Sequence, residues 1–433
     1  MIGCASGLGN AFRFPVLCAR YGLAFVAVYA LMLVVVCFPL LCAELYFGKI
    51  IHGRRGQKVW RAILRVATVN SAFIAAYYGV ICAKLGSASV SFALFYGGER
   101  GETALFAVIL ILVTVAVFFI LRRGNAVLAH TGKISVILSL ATFALLAVLG
   151  FTHGNRLPQA SFSCLTGGAV WADALGQALL ALSLASGVMP SFSCNYGVRV
   201  LPTAISVIAC NFLGCVLSAL ATAPYIPFIS QTVGISCGLE LYKSAVFALF
   251  SGKILRSVAG TAVFAVLTLV AIHSLCSLAY PLLSKLTGSK SKANSLVSAV
   301  FSLITCVLAP LFLSDNMQVL TACDQMACSV TAVTIAFAEC LFFAFSKRVK
   351  RLSQGHIRGA IAFFIQFFCP VVTGALALFS LCSARFNCFT PLATATAFAT
   401  ATAIVLTAPL PQLTFFAKRI KMFLMRKSVE GEH

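Results

Sequence analysis

Apolar residues run along this chain in long stretches separated by short polar connections. Twelve such segments stand near 2–20, 22–47, 65–97, 103–122, 131–151, 168–196, 200–228, 256–286, 294–314, 319–346, 359–383 and 389–415. Most exceed the ~20 residues a helix needs to cross the hydrocarbon core of a bilayer. The pattern predicts an all-α polytopic membrane protein with about 12 transmembrane helices. Two segments carry residues that favour leaving the helix. The first holds Gly3, Gly7 and Gly9 together with Asn10 and Arg13. Glycine lowers the cost of non-helical geometry, and unwound backbone at membrane depth is tolerated only inside protein or beside a polar cavity. Small residues also make packing faces between membrane helices, but packing does not account for Asn10 and Arg13. The sixth segment holds Gly176-Gln177 and then Ser183-Leu184-Ala185-Ser186-Gly187.

Five spans separate the two interrupted segments. An odd number of spans per repeat inverts the second copy, which would bring both breaks to the bilayer midplane. The organisation expected is a five-helix inverted repeat over 1–152 and a second over 163–346. Two further spans and a basic tail would follow over 347–433.

Composition agrees with a membrane solvent. The chain of 433 residues is 61% hydrophobic and 10% charged, with a mean hydropathy of +1.02. A soluble protein would carry about a quarter charged residues. The net charge of +22 is not a nucleic-acid footprint, because its placement follows the loops. Clusters such as Arg54-Arg55, Arg122-Arg123, Lys347-Arg348 and Lys418-Arg419 all fall on one side of the predicted spans. The positive-inside rule puts that side, and both termini, in the cytoplasm of a multi-pass plasma (inner) membrane protein. The basic loops would meet anionic lipid headgroups. Eighteen cysteines are scattered singly and read as small hydrophobes; an outward pair, Cys382 with Cys388, could form a disulfide. No cleavable signal peptide is read before the first segment.

Polar residues inside the apolar runs mark candidate chemistry. Of ten acids, Glu44, Asp324 and Glu339 are the ones expected within the membrane, where a carboxylate must face the bundle interior and its donors. Tyr77-Tyr78, Asn211 and His273-Ser274 are further polar positions, and Lys84 reads as a snorkelling side chain. The connection 229–253 reads as a lid. No metal or nucleophile constellation appears, so an enzyme is not expected.

These residues resemble the neurotransmitter:sodium symporters, whose bacterial members carry amino acids. Gly7-Leu8-Gly9-Asn10 followed by Arg13-Phe14-Pro15 is similar to the family's first-helix signature. Tyr29, Pro39, Glu44, Tyr78, Gln177, Asn211, Ser274 and the Asp324-to-Glu339 spacing also match. The resemblance implies the LeuT fold, a 5+5 inverted repeat with helices 1 and 6 unwound in mid-membrane. It makes the two spans over 347–433 peripheral helices 11 and 12, followed by a cytoplasmic tail. It also implies an N-terminus truncated within helix 1, through a different start, a fragment or a degenerate copy.

By that resemblance the substrate carboxylate would meet the Tyr78 hydroxyl and the N–H groups of Leu8 and Gly9. Its amine would meet carbonyls of Ala5 and Leu180 and the Ser183 hydroxyl. Ile74, Leu180, Ser186, Ser274 and Leu278 would line the side-chain pocket, and Glu44 and Gln177 would support the unwound segments. Gly7 stands where monoamine carriers place an aspartate, which favours an amino acid or similar small zwitterion. Arg13 and Asp324 resemble the outer gate.

The first sodium site would use Asn10, Asn211 and the Ala5 carbonyl, with Ala181 replacing a hydroxyl. The second would use carbonyls of Gly3, Ser6 and Val270 and the Ser274 hydroxyl, with His273 standing where a threonine is expected. Coupling to sodium, or to a proton through His273, is implied, and chloride is not expected. The alternative is a non-transporting homologue that acts as a binding or regulatory membrane protein. Oligomeric state is not legible.

Overall fold

The computed structural model describes residues 1, 3, 7–51, 58–97, 102–153, 163–196, 199–228, 237–287, 302, 318–346 and 356–383. Among them every regular element is helical. Eight described helices are long and apolar enough to cross a membrane. The first and sixth segments are too short to count because they are broken. The ninth segment (apart from Ser302), the twelfth, the basic tail and Cys388 lie outside the described residues.

The centre of the molecule is a pair of long helices, Lys58–Phe95 and Lys253–Thr287, packed along each other. At 1.5 Å per residue the 38-residue member runs about 57 Å, well beyond a ~30 Å hydrocarbon core. The third apolar segment was expected to start at 65. The helix starts at Lys58 because Trp60 is buried against Phe47, Phe342 and Phe343, with ring centroids 5.9, 5.3 and 5.1 Å away. That aromatic cluster holds a charged turn in helical form beyond the apolar run.

Apolar side chains face outward as well as inward. On the helix Glu102–Arg123, Val108, Ile111, Leu112, Val115 and Phe119 are all exposed. A contiguous apolar face of that size suits lipid and not water.

The first break lies at the bend at Gly7, after which a π-helical turn, Gly9–Arg13, leads into the helix Phe14–Tyr21. The second interrupts the helices Gly168–Ala181 and Val188–Tyr196. Between these, Ser183, Ala185 and Gly187 take left-handed φ angles of 52°, 53° and 75°. The breaks touch: a Cβ placed on Gly9 would lie 3.6 Å from the Ala181 Cα. Further π-helical turns occur at Leu33–Cys37, Gln325–Thr331 and Phe364–Phe368, and no sequence pattern announced them. The connection 229–253 contains the helix Cys237–Leu249. Its Gly238 sits so close to Phe12 that a Cβ would come within 2.9 Å of it, so this segment packs directly on the first helix.

Candidate functional site

The two breaks enclose a cavity walled by Gly7, Leu8, Gly9, Tyr78, Leu180, Ala181, Ser183, Ser274 and Leu278. Its free volume is about 10 Å³, room for one water-sized sphere. Anything larger must displace side chains of the cavity wall. Of the residues expected around substrate, Ile74 and Ser186 are buried nearby but are not among the cavity walls. Ala5 and Ser6 lie outside the described residues. The Leu8 N–H, expected at a carboxylate, donates to the Ser274 hydroxyl at 2.8 Å, and that hydroxyl donates to the Val270 carbonyl at 3.0 Å. Ser274 therefore ties the first break to the long helix Lys253–Thr287.

Buried polar side chains hold both breaks open, an acceptor at the second and donors at the first. The Ala185 N–H, freed by the left-handed turn, donates to Glu44 at 2.8 Å. Glu44 is fully buried and Glu339 lies beside it. Gln177 donates through its amide nitrogen to the Gly9 carbonyl at 2.9 Å, which joins one break to the other. Ser218 donates to the Asn10 carbonyl at 2.8 Å. Unwound backbone in a bilayer needs such partners, since an unsatisfied buried group costs roughly 1–3 kcal/mol.

Above the cavity, the Arg13 guanidinium is only 4% exposed. Its Nε donates to Asp324 at 2.7 Å, and its two terminal nitrogens donate to Gln177 at 3.0 Å and to Ser329 at 3.1 Å. Tyr77 donates to the other Asp324 oxygen at 3.1 Å. The π-helical turn Gln325–Thr331 sets Ser329 against Arg13.

A second layer was missed by the sequence reading. Asp173, which the sequence analysis did not single out, is also buried. It accepts from Ser329 and from Tyr21, each at 2.7 Å, and Arg20 stands 3.6 Å away. The available signal was its spacing: Asp173 lies one helical turn before Gln177, on the same face.

The two ion positions differ. At the first, Asn10 and Asn211 each supply an amide oxygen, the donor type a hard cation takes, and each of these oxygens accepts a hydrogen bond from within the protein. Asn211 donates to the Asn10 side-chain oxygen at 3.1 Å, and Tyr29 donates to the Asn211 oxygen at 2.6 Å. Ala181 adds no side-chain oxygen. These residues fit sodium in kind, with fewer ligands than the resemblance implied.

The second position does not fit. The Ser274 hydroxyl and Val270 carbonyl are bonded to each other, and the His273 ring stands in the space between Gly3 and Gly132. The family resemblance would set a chloride ion beside Tyr29 and Gln177, with Ala181 and Cys215 in place of its hydroxyls; here Tyr29 donates to Asn211 and the Gln177 amide to Gly9. Both donors are thus turned to protein acceptors. Among the described residues no group of His, Cys, Asp and Glu could hold a metal ion.

No family model matches the chain. Among curated proteins it is similar to the sodium- and chloride-dependent transporter XTRP3A of Mus musculus, at 43% identity over 89 residues. That match covers 18% of this chain and 15% of the relative. XTRP3 of Homo sapiens gives the same figures. The match thus spans about 15% of the length of these relatives. Among solved structures, the chain is similar to MhsT in a crystal structure in complex with L-phenylalanine. The TM-score is 0.75 at 20% identity, covering 88% of this chain and 96% of that one. The likeness establishes the all-α, LeuT-type fold of a multi-pass membrane protein. The resemblance to the neurotransmitter:sodium symporters read from the first helix stands.

Proposed function

We propose that this chain is a secondary active transporter, not an enzyme, which moves an amino acid or similar zwitterion across the plasma membrane by alternating access. The observation that carries the reading is the juxtaposition of two broken helices around Tyr78 and Ser183, with Gly7 between them and no acid among the cavity walls. A substrate carboxylate would take the Leu8 N–H over from the Ser274 hydroxyl, and break carbonyls with the Ser183 hydroxyl suit an ammonium. Tyr78 orients the carboxylate. An aspartate at position 7 would instead have favoured a lone amine. The Arg13–Asp324 pair closes the outer side once substrate is seated, with both termini in the cytoplasm.

Two repeats, 1–152 and 163–346, move against each other around this site. The complex of MhsT with L-phenylalanine and the ion named in the curated relatives support an amino acid and sodium. Sodium, where bound, supplies positive charge opposite the substrate carboxylate, and Asn10 and Asn211 would hold it. No chloride role is assigned.

The test is uptake of a labelled amino-acid mixture into proteoliposomes under a sodium gradient, a proton gradient or neither. Sodium-driven uptake is the expected result. Uptake driven by protons alone would move the coupling ion. Folded protein that takes up nothing would replace this reading with that of a non-transporting binding protein.

A further inference from the structure

His273 lies on the long helix Lys253–Thr287 and is 2% exposed. Its ring fills the meeting point of three elements. A Cβ added to Gly3 would stand 2.9 Å from the His273 Nε2 and 2.8 Å from the Gly132 Cα. A Cβ added to Gly132, on the helix Asn125–Thr152, would stand 2.7 Å from the His273 Cε1 and 2.8 Å from Nε2. Side-chain carbons do not approach that closely, so a side chain at either position would have to push the ring aside. The ring nitrogens face two hydroxyls, Thr131 at 3.5 Å and Ser277 at 3.4 Å. Among the described residues, two hydroxyls beside the ring are bonded within the protein: Ser274 to the Val270 carbonyl at 3.0 Å and Ser277 to the His273 carbonyl at 2.9 Å.

A sodium ion here would need several oxygens converging on a gap of its own size. The His273 ring stands instead between Gly3, the expected carbonyl ligand, and Gly132. We infer that the His273 imidazole permanently occupies the second cation position, as a tethered wedge joining the first segment to the helices Asn125–Thr152 and Lys253–Thr287. This chain therefore binds at most one sodium ion, at Asn10 and Asn211. The inference rests on the reading of the fold as a carrier, but it concerns ion count and packing, which are measured without transport.

The experiment uses the full chain purified in detergent. Equilibrium binding of radioactive sodium should give no more than one ion per chain, and His273→Thr should gain one relative to the native protein. Two ions per native chain, or no gain in a folded His273→Thr variant, would overturn the proposal. A packing cycle gives a second readout. Gly132→Ala should lower the melting temperature strongly in the native background and much less beside His273→Ala. An equal drop in both backgrounds would show that the ring is not wedged there. A failure of uptake alone leaves these readouts untouched, so the two proposals fail separately.

Discussion

Arg13 shows how much one buried residue can organise. Its three nitrogens reach Asp324, Gln177 and Ser329, and Gln177 reaches on to Gly9, so the gate and the first break share a network. Removing one partner of a buried ion pair typically costs 3–5 kcal/mol, because the other charge stays behind. Asp324→Asn should therefore abolish uptake while retaining most equilibrium binding of the labelled substrate. Equal loss of both would remove the gate role. Glu44 is tested by contrast. Glu44→Gln keeps an oxygen for the Ala185 N–H and should change thermal stability little. Glu44→Ala strands that donor and should cost roughly 1–3 kcal/mol, read as a lowered melting temperature in detergent.

At the scale of elements, the break between Ala181 and Val188 is a left-handed excursion that non-glycine residues resist. Ser183 and Ala185 adopt positive φ despite their side chains, at about 1–2 kcal/mol each relative to right-handed geometry. Opposite signs are expected from two neighbouring changes. Ala185→Gly should stabilise the protein slightly, while Gly187→Ala, at φ 75°, should destabilise it by about 1 kcal/mol or more. Thermal unfolding of the two variants side by side checks the signs. The same sign for both would mean that the turn geometry differs from that described.

On the scale of the whole molecule, two polar layers stack over the cavity. The lower is Arg13 with Asp324; the upper is Asp173 with Tyr21, Ser329 and Arg20. Ser329 belongs to both, so opening one layer must disturb the other. Asp173→Asn should loosen the upper layer and raise the rate at which a thiol reagent labels Cys328, which is fully buried beside Asp324. Labelling can be followed by mass spectrometry with the exposed Cys382 replaced by serine. An unchanged rate would show that the upper layer does not restrain the gate.

The chain itself determined the membrane class and the positions of the broken segments, while the pairing of Arg13 with Asp324 came from the family resemblance. These rest on local properties: the length of apolar runs, glycines beside polar residues, and a signature of a few consecutive residues. Only tertiary structure decided which faces meet. Asp173 is buried because a π-helical turn more than a hundred residues later presents Ser329 to it. The long helix begins at Lys58 because Trp60 finds Phe342 and Phe343. The His273 ring, expected from sequence among the sodium ligands, stands between Gly3 and Gly132 because three distant segments converge there. Helical periodicity records which side of each helix is apolar or polar. It does not record which partner that side will find, because the pairing is set by packing among segments far apart in the chain.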